Sequence, residues 1–169
     1  MEAVQGMRVV YLYRILSDAK TKAASAVAFA TENKNKISRD ADSTKTKDGS
    51  IRTPGGIEVE ISFTSIMAKG DTLYDSVKKA VKEGSIVEVW EVNLDEKGTE
   101  ENADKYKATY YQGYITEVEL SSPSDDFAEL SITYGANGSG ADGYATLSKE
   151  QQEIAEYAFK DTAKDNIIA

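Results

Sequence analysis

Residues 57–65, Ile57-Glu58-Val59-Glu60-Ile61-Ser62-Phe63-Thr64-Ser65, alternate strictly between apolar and polar side chains. Successive side chains of a strand point to opposite faces. Ile57, Val59, Ile61 and Phe63 therefore share one face, and Glu58, Glu60, Ser62 and Thr64 share the other. This is the clearest strand in the chain.

Immediately upstream lies the least ordinary segment, residues 32–56. Between Glu32 and Arg52 it is nearly all Lys, Arg, Asp, Asn, Ser and Thr, with Ile37 and Ile51 the only large apolar residues. Asp48-Gly49 is a tight-turn dipeptide, and Pro54-Gly55-Gly56 closes the segment. A structureless loop of more than about 20 residues is unusual inside a compact domain. Folded as a hairpin, arms of about 10 residues reach about 30 Å, far enough to lie on a neighbouring molecule. The segment reads as an extended interaction arm, with a flexible loop as the plainer alternative. Further upstream, Met7–Leu16 and Ala26–Thr31 read as strands.

Downstream, the spacing of Leu73, Val77, Ala80 and Val81 predicts a helix from Thr72 to Glu83, capped by Asp71 or Thr72 and ended by Gly84. Strands are expected at Ser85–Leu94, Tyr106–Leu120 and Phe127–Tyr134. A Gly-rich turn follows at Gly135–Gly143, then a short segment, Tyr144–Leu147. Ser148 and Gln151 stand in capping-box spacing before a C-terminal helix, and residues 161–169 form an apolar-ended tail. The implied fold is mainly β with α additions. It is one domain over 1–169, a β-sandwich or partial barrel, mostly antiparallel, with one mid-chain and one C-terminal helix.

Composition narrows the chemistry. Among 169 residues there is no His and no Cys, which removes disulfides, thiolate nucleophiles, imidazole acid–base catalysis and the usual zinc sites. The net charge of −9 has the wrong sign for gripping nucleic acid through its phosphates. That charge is uneven: residues 1–60 carry a net +2 and residues 61–169 a net −11. The first residues, Met1 to Gly6, lack the pattern of a signal peptide, and no apolar run approaches a membrane span, so the expectation is a cytoplasmically made protein without a membrane partner.

Four motifs invite a site. Gly138-Ser139-Gly140-Ala141-Asp142-Gly143 matches G-x-G-x-x-G, but the expected helix starts too late and too little chain follows for a dinucleotide fold. Asp40-Ala41-Asp42 with Asp48 resembles a calcium loop, but Lys45 and Ile51 occupy the positions that need Gly and Glu. The acidic pairs Glu100-Glu101 and Asp125-Asp126 read as solvated surface. Trp90, Tyr106, Tyr110, Tyr111 and Tyr114 could form a stacking platform, yet core and subunit interface come first. The residues thus point to no catalytic, cofactor or metal site and favour self-assembly over catalysis. A monomeric carbohydrate- or small-ligand-binding sandwich and an enzyme built on carboxylates alone remain the alternatives.

Several ordered stretches carry a family resemblance. They are Val10-Tyr11-Leu12-Tyr13-Arg14, Arg39-Asp40-Ala41-Asp42, Lys47-Asp48-Gly49-Ser50-Ile51-Arg52-Thr53-Pro54-Gly55, Ala68-Lys69-Gly70-Asp71, Val87–Asn93 and Ala108–Tyr114. Together they resemble the major tail (tail tube) proteins of siphophages, the long non-contractile-tailed phages of Gram-positive bacteria, lactococcal type, from about Gln5 to Asp161. The resemblance implies a structural virion protein assembled in the bacterial cytoplasm. Its partners would be itself, in hexameric rings stacked into a tube for DNA ejection, and the tape-measure, tail-terminator and distal tail proteins. Genomic DNA would pass through without specific binding. Glu58, Glu60, Glu117 and Glu119, on polar strand faces, are then candidate lumen residues. Lys34, Lys36, Arg39, Asp40, Asp42, Lys45, Lys47, Asp48 and Arg52 are candidates for an arm reaching the adjacent ring.

Overall fold

The computed structural model describes residues 1–148, so the expected C-terminal helix after Ser148 and the tail 161–169 lie outside the described residues. In chain order the elements are β1 (Val9–Ile15), β2 (Ser25–Ala26), β3 (Ala30–Thr46), β4 (Gly49–Ile66), α1 (Leu73–Glu83), β5 (Val87–Lys97), β6 (Tyr106–Ser121) and β7 (Glu129–Ala145). The seven strands form one sheet in the order β2-β1-β5-β6-β7-β4-β3, every pairing antiparallel.

The long β6–β7 hairpin divides this sheet into two halves. From Tyr106 to Gly113, β6 pairs with both β5 and β7, whereas residues 114–121 pair with β7 alone. Conversely, β7 touches β4 only over Glu129–Ala136. At the junction the register slips between Tyr110 and Gln112: Gly138, Ser139 and Gly140 of β7 stand against the single residue Tyr111, which keeps its pairing with Val89 of β5 and turns its ring into the core. A bulge of this kind bends the strand, and here the bend folds the sheet onto itself. Tyr11 of β1 consequently meets Phe63 of β4 edge-on at 5.6 Å, although four strand steps separate them in the sheet. The core fills the space between the halves with Val59, Ile61, Phe63, Leu130, Ile132 and Tyr134 on one side and Tyr11, Val87, Val89 and Tyr111 on the other. Helix α1 adds Leu73, Val77 and Ala80 to it, while Val81 is only half-buried. The sandwich is therefore one continuous sheet.

The expected Gly-rich turn at Gly135–Gly143 is instead strand, paired with β6 from Ala108↔Gly143 to Tyr114↔Gly135 and interrupted by the bulge at Gly138, Ser139 and Gly140. Its glycines answer to tertiary packing. A side chain on Gly140 would place Cβ 2.6 Å from the Tyr111 ring, and the backbone there is left-handed, φ +82°. The expected strand Ala26–Thr31 breaks at residues 27–29, separating a two-residue β2 from β3. β5 also continues three residues past the expected end at Leu94, through Asp95-Glu96-Lys97.

Gly113→Ala tests the tightest approach in the hairpin. Its Cβ would sit 2.1 Å from the Gly135 carbonyl oxygen and 2.7 Å from Ala136 Cα, backbone atoms that cannot swing aside. Overpacking should cost about 2–3 kcal/mol in chemical denaturation. An unchanged unfolding midpoint would show that the two strands do not approach so closely.

Candidate assembly surfaces

The half-sheet β6-β7-β4-β3 has a dry face and a wet face. Register fixes which residues share the wet one. Lys34, Ser62, Thr133 and Glu117 form one row across four strands, and Glu32, Thr64, Ser131 and Glu119 form the next. Glu60 stands opposite Lys36, and Glu58 opposite Ser38. All four candidate lumen residues therefore lie on one surface, opposite the side packed by α1. Six glutamates, Glu32, Glu58, Glu60, Glu117, Glu119 and Glu129, stand there against Lys34 and Lys36. A shallow groove lined by Lys36, Glu58, Glu60, Thr116 and Gly135 crosses the same face.

Beyond this half-sheet, β3 and β4 continue together as a two-stranded ribbon from Arg39↔Ile57 to Thr46↔Gly49. The turn residues are Lys47 and Asp48, and the Thr46 hydroxyl donates to the Gly49 carbonyl at 2.7 Å. A bulge sets Gly55 and Gly56 against the single residue Asp40, and the next pair is Ala41 with Pro54, which has no N–H to contribute to the ladder. Arg39, Asp40, Asp42, Lys45, Lys47, Asp48 and Arg52 all lie on the ribbon and all are exposed, as are Ile37 and Ile51. Lys34 and Lys36 lie instead at its base, within the four-stranded part.

That base is tied to the opposite half-sheet by polar contacts in the fold interior. Asn35 Nδ2 donates to Glu91 Oε2 at 2.7 Å and to the Tyr111 hydroxyl at 3.1 Å, and the Tyr11 hydroxyl donates to the same carboxylate oxygen at 2.6 Å. On the other face of β5, buried Glu88 accepts from Arg14 Nε at 2.9 Å and from the Tyr110 hydroxyl. Arg14 also lies 5.1 Å from the centre of the Trp90 ring, which packs on Tyr110. Sequence reasoning missed Arg14, Asn35, Glu88 and Glu91. One signal was available: Glu91 shares strand parity with Val87 and Val89, so it is a carboxylate on an otherwise apolar face.

Burial raises the Tyr11 phenol well above its ordinary value, with the Glu91 hydrogen bond adding to the rise; burial also raises Tyr134. The candidate stacking platform is dispersed: Tyr106 and Tyr111 are buried, Tyr110 and Trp90 pack on each other, and Tyr114 is exposed. Among the described residues no His, Cys, Asp and Glu cluster could hold a metal, and no helix is long and apolar enough to cross a membrane.

The fold has counterparts of known kind. The family model for phage tail tube proteins matches residues 3–142. The chain belongs to the phage tail tube protein family. A tail protein of Staphylococcus phage phiMR25 is 34% identical over 148 residues, covering 86% of this chain and 77% of that protein. The tail tube protein of Bacillus phage SPP1 is 25% identical over 130 residues, 77% of this chain but 48% of the SPP1 protein, so the chain spans about half of that relative. The fold of the SPP1 tail tube superposes with a TM-score of 0.75 at 21% identity, covering 99% of this chain and 96% of the other. The tail of a gene transfer agent particle, determined with C6 symmetry, gives 0.63 at 12% identity, covering 85% and 100%. This tail tube protein is a structural, tube-forming component of the virion tail. A monomeric ligand-binding sandwich finds no support among these relatives.

The tyrosines set an alkaline limit on stability. Unfolded, Tyr11 ionises near 10; folded, it stays protonated, so its contribution is intact below that pH and is lost as pH rises beyond it. In urea titrations above pH 10, Tyr11→Phe should make the decline shallower by about 1.4 kcal/mol per pH unit. An identical slope in both proteins would contradict the burial of this phenol.

Proposed function

We propose that the half-sheet β6-β7-β4-β3 is the wall of the tube, closed edge to edge into rings of six. One observation carries this reading: the half-sheet has two open edges, β3 on one side and residues 114–121 of β6 on the other. Unpaired edges invite another strand. With four alternating strands the outermost two run in opposite directions, so β3 of one copy meets β6 of the next as an antiparallel pair, and the sheet continues around the ring. The contact uses different surfaces on the two copies, the kind of contact that closes rings when the rotation permits.

With α1 and the second half-sheet packed on one side, the wet face turns inward to the lumen. Glu58, Glu60, Glu117 and Glu119 would then repel DNA phosphates over a screening length of about 8–10 Å, so that DNA slides instead of binding. The ribbon 39–57 would reach the adjacent ring, its mixed charges meeting the acidic remainder of the neighbouring subunit. Its eight residues from Arg39 to Thr46 span about 25 Å. Tape-measure, terminator and distal tail proteins would occupy the lumen and the ends of the stack. The role is structural, without catalysis.

Replacing Ala41–Pro54 by Asn-Gly should leave a folded protein that forms rings but not stacked tubes in electron micrographs. Tubes of normal length would remove the arm from stacking. Glu58→Lys with Glu60→Lys should slow DNA ejection from virions whose tubes assemble normally; unaltered ejection kinetics would place these carboxylates away from the DNA path.

A further inference from the structure

The two open edges differ in charge on the wet face. Edge strand β3 presents Lys34 and Lys36, whereas the free stretch of β6 presents Glu117 and Glu119. Each pair is spaced two residues apart, so both members point the same way, about 7 Å from one another. All four are exposed. Within the described residues Lys34 pairs only with Glu32, at 3.5 Å, and Lys36, Glu117 and Glu119 take part in no ion pair.

We propose that these four residues form an ion-pair ladder between neighbouring copies of the chain, Lys34 facing Glu119 and Lys36 facing Glu117, which sets the register of the ring seam. The inference rests on the edge-closed wall. In an antiparallel contact, moving forward on one strand moves backward on the other, so matching Lys34 to Glu119 necessarily matches Lys36 to Glu117, with Glu32 facing Ser121. Slipping by two residues one way faces Lys34 with Glu117 but sets Glu32 against Glu119. Slipping the other way retains only Lys36 with Glu119. One register satisfies both lysines without opposing two carboxylates, and cross-strand charge pairs are sensitive to that difference.

This register also supplies the stagger that a closed barrel requires. Inside the subunit the row through Lys34 ends at Glu117. Across the seam it continues at Glu119, one row further along the strand. The same charges discourage wrong pairings. Two β3 edges would oppose lysine to lysine, and two β6 edges glutamate to glutamate, so a closed two-fold dimer is disfavoured and the head-to-tail contact remains.

The absence of cysteine allows a direct test by disulfide trapping in assembled tubes of the full chain. Within one copy β3 and β6 lie three strand spacings apart, about 14 Å, too far for a bridge; opposed across a seam they lie at about 4.5–5.5 Å. Lys34→Cys with Glu119→Cys, and Lys36→Cys with Glu117→Cys, should each give an oxidised ladder of multimers on denaturing gels, and Lys34→Cys with Glu117→Cys should not. Multimers from the last pair alone would overturn the ladder while keeping the edge-closed wall. Tubes that form but yield no multimers from any pair would overturn both.

A second test needs no cysteine. The variants K34E/K36E and E117K/E119K should each stay folded by circular dichroism yet need at least about tenfold more protein to assemble. An equal mixture should assemble like the parent, because alternating copies restore every seam. Assembly of either variant alone at the parental concentration, or failure of the mixture, would overturn the proposal.

Discussion

The close approach inside the β6–β7 hairpin governs what the rest of this molecule can do. Gly113 lies against the Gly135–Ala136 backbone, and Gly140 lies under the Tyr111 ring, contacts that only residues without a side chain permit. The bulge they accommodate bends a single sheet through its own middle. One half then covers the core with β1 and β5, and the other extends as β6-β7-β4-β3 with both edges unpaired. A flat sheet of the same strands would leave the core exposed. A sheet closed on itself would leave no edge for a neighbour.

Backbone groups at those edges favour partners, and the polar interior contacts keep the edges in position. Asn35 sits on edge strand β3 yet donates to Glu91 and Tyr111 across the fold, so the base of the arm is held by the same residues that hold the two halves together. Arg14 and Glu88 form a largely buried ion pair. Removing one partner of such a pair is costly because it strands a charge, while the intact pair contributes modestly to net stability. The arrangement suits a subunit whose edges must stay aligned over many contacts.

Much of this was legible in the sequence. The alternation at 57–65 identified both the core face and the wet face of β4, and the polar composition of 32–56 with Asp48-Gly49 marked the segment in which β3 turns into β4. The spacing of Leu73, Val77 and Ala80 placed the helix within one residue. The four glutamates assigned to polar faces do share one surface, since strand parity is a local property. What the sequence hid was decided by long-range packing. Glycines at 135–143 carry the composition of a turn, but they are strand because an aromatic ring 29 residues earlier in the chain needs the space over Gly140. The split of the candidate arm is likewise tertiary: nothing in the composition separates Lys36, inside the four-stranded sheet, from Arg39 on the ribbon, because the boundary is where β7 stops pairing with β4.

The central claim is that one sheet runs unbroken from subunit to subunit. An electron cryomicroscopy map of assembled tubes at side-chain resolution tests it most directly, through the distance between β3 of one copy and β6 of the next. Continuous pairing predicts strands about 4.8 Å apart with backbone hydrogen bonds across every seam. A gap of about 10 Å filled by side chains would mean that rings close by surface packing, and would contradict the account.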